Sequence, residues 1–135
     1  MPLLLDTGIV YALADRKDGW HRRARDLVNA SREALLVPVT VVPEVCYLMR
    51  ERLGAAVERR FVASLAAEEL ALEDLAAGDL KRCAALLEQY PQIGFVDASL
   101  VAVAERLRLR KIATTDRRHF GTIQPKHVPA FELVP

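Results

Sequence analysis

Residues 3–8 read Leu3-Leu4-Leu5-Asp6-Thr7-Gly8, an apolar triplet closed by an acid. Two readings compete. In one, Asp-Thr-Gly lies in a loop of a β-rich hydrolase, where two such aspartates share a proton and activate water. In the other, a short strand buried on both faces ends in a carboxylate that faces a metal ion. The residues that follow decide between them. Ile9 to Ala14, and then long stretches rich in Ala, Leu, Arg and Glu, are strong helix formers. The six glycines do not gather into the hairpin that covers an aspartic-protease site. A retropepsin takes its second aspartate from a dimer partner, so one such motif is not disqualifying. The helical surroundings are.

Working outward, short apolar runs alternate with helical patterns. Thr7 to Ala14 reads as a short helix and Trp20 to Ala30 as an amphipathic one, with Trp20, Ala24, Leu27 and Val28 at helical spacing. Ala34 to Val37 is a second apolar run, closed by Pro38. Thr40 to Leu53 is helical, provided Pro43 sits in the first turn where its missing N–H is not needed. Gly54 ends it, and Ala55 to Ala67 is the next helix. Leu70 to Leu75 is a weakly patterned strand. Gly78-Asp79 caps a helix over Leu80 to Tyr90, and Asp97 caps another over Ala98 to Leu109. Lys111 to Thr115 and Ala130 to Val134 are the last strands. This alternation predicts an α/β fold, a single domain over residues 1–135 with a central parallel sheet covered by helices on both faces.

Composition narrows the function classes. At 52% hydrophobic and 27% charged, the chain has the balance of a globular domain. A net charge of +1 excludes a strongly basic nucleic-acid carrier but not an enzyme with a local basic groove. Cys46 and Cys83 are isolated and form no CxxC pair, so they read as buried free thiols of a reducing compartment rather than zinc ligands. The N-terminal apolar run stops at Asp6, too short for a secretory leader, and no stretch is long enough to span a membrane. A cytoplasmic location is expected. No Gly-Lys phosphate loop and no GxGxxG occurs. His21, His119 and His127 form no metal-ligand pair.

Four acids share one kind of position. Asp6 follows the first strand, Glu44 lies in the first turn of the helix after the second, Asp97 opens the Ala98 helix, and Asp116 follows the Lys111 strand. In a parallel α/β sheet, strand C-terminal ends and helix N-terminal ends lie along one edge, where ligands bind. Acids gathered there repel one another unless a cation neutralises them. An all-oxygen donor set suits a hard ion such as Mg²⁺ or Mn²⁺, which supports phosphoryl transfer. Taken singly, Asp97 is a cap, Asp116 a turn residue and Glu44 a first-turn charge against the helix dipole. Asp6, closing a buried strand, has no such plain role.

At these residues the chain resembles the PIN-domain ribonucleases of the VapC toxin type. The motifs are LLLDTG (residues 3–8), VVPEVCYLM (41–49), GFVDASLVAVAERL (94–107) and IATTDRRHF (112–120), in family order over nearly the whole chain. The resemblance implies a three-layer α/β/α sandwich and a Mg²⁺- or Mn²⁺-dependent endoribonuclease cutting tRNA or rRNA. It makes Asp6, Glu44, Asp97 and Asp116 the acidic cluster. Asp6 and Asp97 are direct metal ligands, Asp116 binds directly or through water, and Glu44 holds a water or acts as base. It implies a homodimer and a separate antitoxin chain that covers the groove. One departure stands out: relatives often carry Ser or Asn two places after the first Asp, and here that residue is Gly8. The hydroxyl contact from that position is expected to be missing.

RNA also needs donors near the acids. Thr115 beside Asp116 is a candidate to orient a water or phosphate, and Arg117 and Arg118 are the best-placed cations. Arg16 and Lys17 are expected on the same rim. Arg106, Arg108, Arg110 and Lys111 read as a solvated helix end, and Asp79 and Glu105 as a cap and an exposed face. Competing functions are an RNA-processing nuclease of the same fold and a degenerate domain that only binds a partner. A dehalogenase-type phosphatase needs a second Asp at position 8 and is discounted.

Overall fold

The computed structural model describes residues 1–135. Five strands form one parallel sheet: β1 (Leu3–Leu5), β2 (Leu35–Pro38), β3 (Ala71–Glu73), β4 (Lys111–Ala113) and β5 (Glu132–Val134). Their spatial order is β3-β2-β1-β4-β5. Seven helices connect and cover them: α1 (Thr7–Ala14), α2 (His21–Ala30), α3 (Val41–Leu53), α4 (Ala55–Ala66), α5 (Ala77–Gln89), α6 (Phe95–Leu107) and α7 (Arg117–Gly121). Helices α1 to α4 pack among themselves, and α5 packs on α6. The result is the α/β/α sandwich expected from the alternation of apolar runs and helical stretches.

Strand order places the site. The chain leaves β1 toward β2 and β3, then returns to the other side of β1 as β4 and β5. The direction of winding therefore reverses between β1 and β4. The crevice outside the carboxyl ends of two such strands is where open parallel sheets bind ligands. β1 is the central strand, which explains why Leu3, Leu4 and Leu5 are all buried and show no alternation.

Several boundaries differ from the sequence expectation. Pro38 does not close β2 but belongs to it, pairing with Glu73. Strand β3 is confined to Ala71–Glu73 at the sheet edge, and β4 stops at Ala113. Helix α5 begins at Ala77, so Asp79 lies in its first turn and accepts the Ala76 N–H at 2.8 Å. Helix α6 begins at Phe95, with Gly94 rather than Asp97 at the cap position. The short α7 after Asp116 has no counterpart in the sequence pattern. Pro43 does lie in the first turn of α3.

The basic stretch at the end of α6 is not uniformly solvated. Arg106 reaches back to bond the Asp79 carboxylate at 3.0 Å and Glu73 at 3.1 Å, and Asp79 is only 3% exposed. Glu105 is not an exposed face either: Arg82 grips it through two hydrogen bonds at 2.7 and 3.1 Å. These two clusters tie α5, α6 and the end of β3 together. Both cysteines are free, Cys83 buried and Cys46 half-buried.

Candidate active site

Asp6 sits at the N-terminal cap of α1 and is only 6% exposed. Its main-chain N–H continues the sheet ladder by bonding the Ala113 carbonyl at 2.9 Å. One carboxylate oxygen accepts the Thr7 N–H at 2.7 Å, and the other accepts the Thr114 hydroxyl at 2.8 Å. The carboxyl therefore spans the gap between β1 and β4. Burial pushes its pKa up to about 6, against the two hydrogen bonds, and the charges of Asp97 and Asp116 add to the rise.

Asp97 lies in the first turn of α6, half-buried, facing the same crevice. Desolvation raises its pKa despite the Gly94 N–H and the neighbouring His119, and Asp116 adds repulsion. Glu44, in the first turn of α3, stands at the exposed rim; partial desolvation and then the Asp97 charge raise it too. Asp116 caps α7 and accepts the His119 N–H at 3.0 Å. A polar chain holds the two helix starts in place. The Thr40 hydroxyl meets the Ser99 hydroxyl at 2.6 Å, and Ser99 donates to the Val96 carbonyl at 2.6 Å. This links the residue before α3 to the first turns of α6, and so Glu44's helix to Asp97's.

The structure thus brings Asp6, Asp97 and Asp116 into mutual electrostatic range, with Glu44 coupled to Asp97. No lysine or arginine forms an ion pair with any of the four. The nitrogen group that stands beside them is the His119 imidazole. Its Nδ1 lies 2.8 Å from Asp116 and 3.5 Å from Asp97, between the two carboxylates. With the side chains so arranged, no three donors converge at ion-binding distance. The donor chemistry fits a hard cation, which Asp6, Asp97 and Asp116 would be the residues to hold.

Among the other candidates, Arg118 is exposed and Arg117 donates to the Pro135 carbonyl, which ties it to the C-terminus. Arg16 lies beyond the far end of α1 and lines a groove with His21, Arg25 and Arg60, away from the acids. Thr114 escaped the sequence reading, and His119 was weighed there and set aside. Thr114 is fully buried, holds Asp6 and accepts the Asp116 N–H at 2.9 Å, and its signal was its place between a strand end and an acid. His119 had a signal as well, three residues after Asp116 on a helical turn.

Carboxylates gathered outside the switch point of a parallel sheet are a donor set suited to a hard cation, and the comparisons agree on the fold. The PIN domain profile matches residues 3–123. Ribonuclease VapC26 of Mycobacterium tuberculosis is 31% identical over 135 residues, covering 98% of this chain and all of that protein. The crystal structure of M. tuberculosis VapC20, described as a sarcin-ricin loop cleaving toxin, superposes with a TM-score of 0.83. It is 19% identical and covers 94% of this chain and 98% of its own. A toxin–antitoxin complex from Klebsiella pneumoniae gives a TM-score of 0.71 at 22% identity, over 90% of this chain and 92% of that one. The chain belongs to the PIN-domain family and is of the VapC type.

Proposed function

We propose that this protein is a Mg²⁺- or Mn²⁺-dependent endoribonuclease that cuts structured RNA, a tRNA or an rRNA, as the toxin of a type II toxin–antitoxin pair. The observation that carries the reading is the set of coupled acids at the β1/β4 crevice, led by a buried Asp6 that no lysine or arginine neutralises. Asp6 and Asp97 are the residues to hold the ion directly, with Asp116 directly or through water. When bound, such an ion favours hydroxide formation from water and neutralises charge on the phosphate. Thr114 fixes the Asp6 carboxylate so that it need not reorganise. Glu44, at the open rim, is placed to orient the attacking water and accept its proton.

The likeness to toxin–antitoxin complexes supports a small antitoxin as partner. We also take the protein to be a homodimer acting in the cytoplasm; no helix is long and apolar enough to cross a membrane. The alternative, an RNA-processing nuclease of the same fold, should not arrest growth when expressed alone, whereas the toxin should.

The test is cleavage of total RNA by the wild type and Asp6→Asn, with Mn²⁺, Mg²⁺ or EDTA. Metal-dependent fragments from the wild type alone are expected. Cleavage that survives EDTA, or that Asp6→Asn retains in full, refutes the assignment.

A further inference from the structure

Gly8 is the second residue of α1 and lies directly against Thr115. A Cβ added to Gly8 would collide with the Thr115 hydroxyl oxygen and stand 3.3 Å from its Cβ and Cγ2. The other five glycines have open space at that position. The Thr115 side chain has therefore taken the volume that a residue at position 8 would fill. It has placed a hydroxyl there, beside the cap of Asp6 and next to Asp116.

The two adjacent threonines have different duties. The Thr114 hydroxyl is committed: it donates to Asp6 and accepts from Asp116. The Thr115 hydroxyl enters none of the side-chain hydrogen bonds of the chain, and the residue is only partly buried. Its donor remains available to whatever enters the crevice. The surrounding acids can accept protons in hydrogen bonds but, when ionised, cannot donate them. The Thr7 N–H is already used by Asp6, and Arg117 by Pro135. An anionic phosphate held among carboxylates needs hydrogen-bond donors that the ionised acids cannot supply, and a free hydroxyl is one.

We propose that Thr115, seated in the side-chain space of position 8, is a substrate-positioning residue whose hydroxyl donates to a non-bridging oxygen of the scissile phosphodiester. The inference rests on the ribonuclease reading. It replaces the expectation that a hydroxyl is lost with Gly8: the hydroxyl arrives from beyond the end of β4 instead of from α1.

The test has two arms. The first is thermal melting of Gly8→Ala in the wild-type and Thr115→Ala backgrounds. In the wild-type background the added methyl is expected to lower the Tm by about 3 °C or more; in the Thr115→Ala background it is expected to be neutral or stabilising. Equal tolerance in both backgrounds overturns the packing argument without any reference to activity. The second arm is Mn²⁺-dependent cleavage of total RNA. Thr115→Val, similar in shape but without the hydroxyl, is expected to slow cleavage about 100-fold with the Mn²⁺ midpoint unchanged. Thr115→Ser should stay within about threefold of wild type, and Gly8→Ser combined with Thr115→Ala should recover at least about tenfold over Thr115→Ala alone. Full activity in Thr115→Val, a shifted Mn²⁺ midpoint, or no recovery in the double variant overturns the role. A wild type that cuts nothing overturns the ribonuclease reading and this role together, while the melting arm still reports the packing.

Discussion

Asp6 carries a penalty that a strand-end residue chosen for stability would not. Its ordinary pKa is 3.8 and the folded value is about 6, so the native state holds the proton more tightly than the unfolded chain. The sign follows: this contribution to stability is complete below about pH 4 and is lost as pH rises through 6. The difference corresponds to about 3 kcal/mol. Asp6→Asn removes the charge and keeps one acceptor oxygen, which can cap the Thr7 N–H but cannot also accept the Thr114 hydroxyl from the other side. Urea titrations at pH 5 and pH 8 should show the variant gaining stability on the wild type as pH rises; an equal gap at both values would contradict the burial argument. Asp6 was legible in the sequence because an acid directly closing an apolar triplet is unusual. Thr114 was less legible, because a threonine near a strand end has ordinary reasons to be there. Its neighbour Thr115 drew attention instead, and only the geometry separates the buried hydroxyl that holds Asp6 from the partly exposed one that is free.

Among the elements, helical periodicity located α1 to α4 to within a residue at each end. It placed the starts of α5 and α6 too late by three residues each. In both cases an acid that looked like a cap lies a turn inside, because its side chain reaches back to a preceding main-chain N–H. Helix α7, at five residues, is too short to show a period. Arg106 is the other instructive miss. Its neighbours in sequence are basic and suggest a solvated end, yet across the fold it meets Asp79, which α5 buries. Arg106→Ala leaves that carboxylate without its cation and is expected to lower stability by about 2–3 kcal/mol, reduced from a fully buried pair because the arginine is partly exposed. Arg110→Ala, beyond the end of the helix, should change it by less than about 0.5 kcal/mol. Chemical denaturation of the two variants side by side checks the contrast.

At the scale of the molecule, the sequence indicated a parallel sheet and one active edge but not the order of the strands. Parallel pairings depend on contacts between distant segments, and short apolar runs such as β3 and β5 carry no label for their neighbours. The order matters because it puts the reversal between β1 and β4, where the acids meet. A net charge of +1 gives the molecule no broad field to hold RNA, so single cations near the crevice weigh heavily. With Arg117 engaged by Pro135, Arg118 should carry most of the effect. In Ca²⁺ buffer, Arg118→Ala is expected to weaken RNA binding more than Arg117→Ala and to flatten its salt dependence by about one counterion, without altering metal affinity. Equal losses in the two single variants would return Arg117 to the RNA surface.

The bond from Thr114 to Asp6 joins residues 108 positions apart. On a ribosome, the first acid emerges with the opening residues, yet the strand that completes its surroundings is among the last to be made. Until then Asp6 has neither its hydroxyl partner nor Asp116 beside it. A nascent chain that has exposed β1 through α6 therefore has an incomplete crevice. The acid cluster assembles only after β4 has been made, and a chain cut short before Thr114 never completes it.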